Sequence, residues 1–218
     1  MSTPLEDLDD RELLAVHGAG DAEAFGVLFN RHRDRLWAVA LRTTGNPEDA
    51  ADALQEALIS AFKRADSFRG EAQVTTWLHR IVVNASLDRL RRNKVRAAQP
   101  LPDDLDEYAR RGAVLGSSDP EADPELSTLR SAQAASVHLA LAAIPTDQRA
   151  ALVLVDMEGY PVEEAALILG CPTGTVKSRC ARGRHRLKAL LEETGITGTS
   201  TGPAASHPGP APAGGGAR

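Results

Sequence analysis

Apolar residues return at helical spacing through most of this chain. In its last third, Val162, Ala165, Ala166 and Leu169 mark one face of a short helix, and Gly170-Cys171-Pro172 then breaks the pattern. A second helix is predicted to start near Pro172 or Thr173, where a proline or a hydroxyl suits a helix N-terminus. At about 100° per residue, Val176, Cys180, Gly183, Leu187 and Leu190 form one stripe of that helix, which is expected to face the core. Two short helices around a tight turn outline a helix-turn-helix.

Upstream, the same periodicity predicts helices over 10–19, 21–43, 47–65 and 74–94, with Gly45-Asn46-Pro47 as a stop followed by a start and 66–73 as a loop. Two further helices are predicted over 127–143 and 146–157, and no convincing strand alternation occurs, so the fold class is all-α. Between Ala97 and Pro124 the periodicity collapses into Pro, Gly, Ser and acid, which reads as a linker. From Thr194 onward seven Gly and four Pro fill 25 residues, and this tail is expected to be disordered. The expected division is a small helical domain over 1–96, an acidic flexible linker over 97–126, a second small helical domain over 127–193 and the tail over 194–218.

Charge sharpens this division. The net charge is −5, from 30 acids against 25 basic residues, but the signs are segregated. Residues 103–125 carry eight acids against Arg110 and Arg111, whereas 69–96 carry seven cations against Glu71 and Asp88. The second helix of the helix-turn-helix holds Lys177, Arg179, Arg182, Arg184, Arg186 and Lys188, with no acid between Gly170 and Leu191. Ser178, Ala181, Arg182 and His185 lie opposite the apolar stripe. A solvated surface helix usually mixes signs into i,i+4 pairs. A face this basic, on the second helix of such a motif, points to DNA phosphates.

Other classes of function find little support. No phosphate loop, hydrolase elbow or histidine-cysteine cluster occurs, so no enzyme signature is present. The six histidines, at 17, 32, 79, 138, 185 and 207, lack metal-ligand spacing and read as surface or satisfied packing, so no cofactor or metal is expected. Cys171 and Cys180 make no disulfide framework, and Cys180 reads as a small buried apolar residue. No segment reaches the length of a membrane span, and MSTPLEDLDD is acidic where a signal peptide is basic and then apolar. A cytoplasmic location without membrane insertion is the expectation.

A second informative stretch runs from Phe68 to Lys94, FRGEAQVTTWLHRIVVNASLDRLRRNK. Val74, Trp77, Leu78, Ile81, Val82 and Ala85 form its apolar face, leaving Arg80, Asn84, Arg91 and Arg92 more exposed. An exposed Asn can hydrogen-bond a base edge, a loop can wall a pocket, and arginines can hold a strand's backbone; Trp77 reads equally as a core residue.

Taken together, PEDAADALQEALISAF, FRGEAQVTTWLHRIVVNASLDRLRR and IPTDQRAALVLVDMEGYPVEEAALILGCPTGTVKSR resemble, in that order, the bacterial extracytoplasmic-function (ECF) sigma factors, and within them the actinobacterial sigma-M subgroup. The resemblance implies a sigma region 2 bundle and a sigma region 4 helix-turn-helix. It implies binding to core RNA polymerase through the β′ coiled coil and β flap, promoter recognition, transcription initiation and control by an anti-sigma factor. Asp52, Gln55 and Glu56, on one helical face, match the polymerase-binding surface. Phe68, Arg69, Gly70, Trp77, Arg80, Asn84, Arg91 and Arg92 match the region that captures and holds the −10 element. Thr175, Lys177, Ser178, Arg179, Ala181, Arg182, His185 and Arg186 match the region that reads the −35 element. Where housekeeping sigma factors carry two adjacent tryptophans, this chain has Thr76-Trp77-Leu78, so melting is expected to depend more on a near-perfect promoter. The competing reading is a stand-alone helix-turn-helix regulator that binds duplex DNA without polymerase.

Overall fold

The computed structural model describes residues 4–70, 72–97 and 135–193. Most of the expected linker, the start of the helix predicted over 127–143, and the tail lie outside the described residues. Among the described residues there is helix and no strand.

Local chemistry sets the first helices. A 3₁₀ turn, Leu5–Asp7, leads into α1, Asp10–Gly18. Asp9 caps α1 by accepting from the Arg11 and Glu12 amides at 2.8 Å, and Glu12 accepts from the Asp9 amide at 2.7 Å, a reciprocal capping box. Asp21 caps α2, Ala22–Thr44, which ends where Gly45 takes a left-handed φ of 75°. Asn46 then caps α3, Pro47–Arg64, by accepting from the Glu48 and Asp49 amides, with Pro47 in the first turn, where its missing N–H costs nothing. A 3₁₀ turn, Ala65–Ser67, precedes the loop to α4, Val74–Ala97. The expected stop and start at 45–47 is therefore a left-handed glycine followed by an Asn cap. The helix predicted to end at 94 continues to Ala97.

The second group comprises α5, helical over 135–142, then α6, Thr146–Leu152, α7, Val162–Leu169, and α8, Thr173–Glu193. The helix predicted over 146–157 is not regular: after Leu152 it widens into a π turn, Val153–Met157. The Glu158 amide donates to Val153 O at 2.9 Å and the Tyr160 amide to Leu154 O at 3.0 Å. Such widening redirects the side chains that follow it.

The packing ties the groups together. α2, α3 and α4 pack side by side, with Leu28, Leu36, Val39, Leu78, Val82 and Val83 buried between them. The two helical groups are as expected, but their apolar interiors are continuous: the same cluster extends to Leu154, Ala165, Ile168, Val176 and Cys180. Leu141, Ile144 and Leu152 form a separate small cluster covered by Leu187 and Leu190.

Candidate nucleic-acid interface

The helix-turn-helix follows the apolar pattern closely. Val176 and Cys180 are buried, Gly183 is buried and Leu187 and Leu190 are half-buried, so the stripe faces inward. Burial pushes the Cys180 thiol above its ordinary pKa, consistent with a packed apolar residue. Gly170, at φ 61°, ends α7 in the left-handed conformation that makes the turn possible.

The opposite face of α8 is less uniform than its sequence. Lys177, Ser178, Ala181, Arg182 and His185 are exposed and Thr175 is half-buried. The Ser178 hydroxyl donates to Thr175 O at 3.0 Å, and Arg182 folds along the helix to donate to Ser178 O at 3.2 Å. Arg179 turns inward: its side chain is 22% exposed, pairs with Asp147 at 2.7 Å and reaches Cys171 Sγ at 3.5 Å. Arg186 donates to Gln148 Oε1 at 3.2 Å, and Arg184 forms a two-pronged pair with Asp156 at 2.6 and 2.8 Å. The absence of acids within 170–191 thus does not leave Arg179 and Arg184 unpaired, because Asp147 of α6 and Asp156 of the π turn reach them across the helix boundary. Among the described residues, Lys177 and Arg182 of this face have no acidic partner.

On α4, Trp77, Arg80, Asn84 and Arg91 fall within about 60° of arc and share one side of the helix. Arg80, Asn84 and Arg91 are exposed, and Arg91 pairs with Asp88 at 2.6 Å. Trp77 is half-buried and meets Phe68 edge to face, with ring centroids 5.6 Å apart, so the indole braces Phe68 ahead of α4. Arg11 of α1 donates to Gly70 O at 3.4 Å, Gly70 takes φ 72°, and Arg69 is exposed. Arg92 departs from this face and pairs with Glu56 of α3 at 2.5 Å.

Asp52, Gln55 and Glu56 lie together on the outer side of α3, as their spacing predicts. Asp52 pairs with Arg89 at 2.5 Å, and Arg89 also reaches Asp49 at 3.0 Å; these acids hold its guanidinium above its ordinary pKa. The sequence reading missed Asp49 and Arg89, which no period of a single helix connects.

It also missed the contacts between the helical groups. The Glu158 carboxylate, 4% exposed, takes Arg35 at 2.9 Å and Arg42 at 3.1 Å from α2. Arg149, 4% exposed, donates to Thr43 O at 2.8 Å and Thr44 O at 3.0 Å, and to Leu141 O and Ala142 O of its own group at 3.3 and 2.8 Å. The Tyr160 hydroxyl meets His79 Nδ1 at 2.7 Å. His79 is therefore satisfied packing. A cleft of about 620 Å³ is lined by Leu87, Leu90, Arg91 and Lys94 of α4, by Pro145, Thr146, Asp147 and Gln148 at the start of α6, and by Thr175, Arg179 and Arg182 of α8. Among the described residues no cluster could hold a metal ion, and no helix is long and apolar enough to cross a membrane.

Comparison with known proteins parallels this layout. Residues 28–96 match the Sigma-70 region 2 family and residues 134–187 the Sigma-70, region 4 family. The chain is 49% identical over 182 residues to the ECF RNA polymerase sigma factor SigM of Mycobacterium tuberculosis, covering 84% of each chain. It is 32% identical over 183 residues to the ECF RNA polymerase sigma-E factor of Escherichia coli, covering 84% of this chain and 94% of that one. Among solved structures it resembles the sigma factor RpoE in complex with the anti-sigma factor NepR from Bartonella quintana, at 28% identity and TM-score 0.57 over 78% of this chain and 98% of that chain. It likewise resembles CnrH in complex with the cytosolic domain of CnrY, at 30% identity and TM-score 0.56 over 84% and 97%.

Proposed function

This chain belongs to the ECF sigma factors, the sigma-70 family members that bind core RNA polymerase and direct promoter-specific initiation, and we propose how its surfaces divide that work. The observation that carries the division is the pair of exposed polar faces on separate helices. One is Arg80, Asn84 and Arg91 on α4 beside the Phe68–Trp77 brace, and the other is Lys177, Ser178, Ala181, Arg182 and His185 on α8.

The α4 face, with Phe68, Arg69 and Gly70, takes the −10 element: Asn84 offers an amide to an extruded base and the arginines hold its backbone. The α8 face enters the major groove at −35, with Arg182 as the side chain suited to a guanine edge and Thr175, Lys177, Arg179 and Arg186 beside it. Asp52, Gln55 and Glu56 form the contact with the β′ coiled coil, and region 4 meets the β flap. Arg92, held by Glu56, bridges the polymerase and −10 surfaces. The domains are 1–96 and 127–193. The work is recognition without covalent chemistry, carried out in the cytoplasm with polymerase. The complexes formed by the two structural relatives support an anti-sigma factor as the regulating partner of this chain.

The test is binding of the full chain to core RNA polymerase beside a variant with Asp52→Ala, Gln55→Ala and Glu56→Ala. Tight binding that the triple variant loses, with run-off transcription from a selected promoter, is expected. Binding of duplex DNA alone, with no affinity for core, would return the stand-alone regulator.

A further inference from the structure

We propose that the cleft walled by α4, the start of α6 and α8 is a binding site for a nucleoside polyphosphate.

The charge of the cleft selects a polyanion. Among the described residues its walls carry four cations, Arg91, Lys94, Arg179 and Arg182, against one acid, Asp147. The acid is already engaged, since Asp147 pairs with Arg179 at 2.7 Å and so fixes that guanidinium on the wall. Lys94 and Arg182 are exposed and have no acidic partner among the described residues. Arg91 is tied only to Asp88, in a pair whose two side chains are both more than half exposed; such a pair is worth little and yields easily to a stronger anion. A cleft lined by one sign of charge concentrates the potential inside it and draws in the opposite sign. Cations presented from two helices across about 620 Å³ are too widely spread for one phosphate, whereas a chain of phosphates can reach several of them.

The rest of the lining selects a nucleoside. Leu87, Leu90 and Pro145 give the cleft an apolar portion, and Thr146 and Thr175 place hydroxyls beside it. An inorganic anion gains nothing from apolar walls; the face of a base buries surface against them, and a ribose can hydrogen-bond the hydroxyls. The volume falls within the roughly 300 to 1,000 Å³ typical of small-ligand sites. Nor is the cleft the promoter surface under another description. Lys94, Leu90, Pro145 and Thr146 belong to neither DNA-reading face, and Lys177, Ser178, Ala181 and His185 of the α8 face do not line it. Arg182 is shared, so on the promoter reading above a bound nucleotide takes that guanidinium from a −35 duplex.

The experiment is calorimetric titration of the full chain with ATP, sodium tripolyphosphate and adenosine, each without divalent cations. Saturable one-to-one binding of ATP is expected, with tripolyphosphate weaker and adenosine silent. Lys94→Glu, at an exposed position of α4, should weaken ATP binding by about tenfold or more, the worth of one charge-assisted hydrogen bond. Lys63→Glu on α3, also exposed and outside the cleft, should leave ATP binding unchanged. No binding of ATP overturns the site, and equal loss in the two variants overturns it by showing a diffuse attraction. Tripolyphosphate binding as tightly as ATP overturns the nucleoside assignment. These titrations contain no polymerase, so failure of the chain to bind core would count against the sigma-factor reading and not against the cleft.

Discussion

His79 is 1% exposed, and its burial drives the imidazole from an ordinary 6.5 down to about 4 despite the nearby Glu158. Its proton therefore binds more readily to the unfolded chain. The neutral ring contributes stability that is fully present above pH 6.5 and lost as pH falls through 4, by about 3 kcal/mol. Denaturant unfolding of wild type and His79→Gln between pH 7 and 4 should show wild type losing stability more steeply with acid; parallel curves would sink the assignment. Arg182 poses a question of recognition. It lies along α8 on Ser178, exposed and without an acid among the described residues. Arg182→Ala is expected to weaken duplex recognition by about 1 to 3 kcal/mol and to relax preference at one −35 base pair. Equal loss on every promoter variant would make it a phosphate contact. Arg182's exposure was legible from helical phase; the neutrality of His79 was not, because its partner Tyr160 lies on the other helical group.

At the scale of the element, α8 pairs with α6 through Gly183. A Cβ at that position would lie 2.8 Å from Leu152 Cδ1 and 3.4 Å from Gln148 O. Alanine is the better helix former by about 1 kcal/mol, but crowding a buried leucine costs about 1 to 3 kcal/mol. Gly183→Ala should therefore lower the melting temperature of the full chain, and a raised one would show that Leu152 moves aside freely. The apolar stripe containing Gly183 was predicted correctly; that the position is a point of closest approach was not, since a glycine looks the same on an open face. The same limit governed the cations: the acid-free run 170–191 is real, yet Asp147 and Asp156 come from neighbouring elements to meet Arg179 and Arg184.

For the molecule as a whole, the continuous apolar cluster and the buried Arg149 join regions 2 and 4, which are expected to unfold as one cooperative unit. Arg149→Met would leave the Thr43, Thr44, Leu141 and Ala142 carbonyls without this donor, at a cost of at least about 3 kcal/mol. Differential scanning calorimetry of wild type should show a single transition whose calorimetric and van't Hoff enthalpies agree, and the variant should show two. Two transitions in the wild type would mean that the regions already melt independently.

Helical periodicity, the caps Asp9 and Asn46, the stop at Gly45 and the order of three motifs were enough to determine the all-α class, the helix-turn-helix and the family. These signals are local: a side chain's phase on its own helix, or a cap's bond to amides two or three residues away, is written in adjacent letters. Tertiary structure alone decided that Arg179 turns inward, that Arg92 pairs with Glu56 of α3, that a π turn interrupts 146–157, and that Arg91 of α4 and Arg182 of α8 line one cleft. Each of these depends on a partner tens of residues away or on another helix, where charge and shape meet only after the chain has packed.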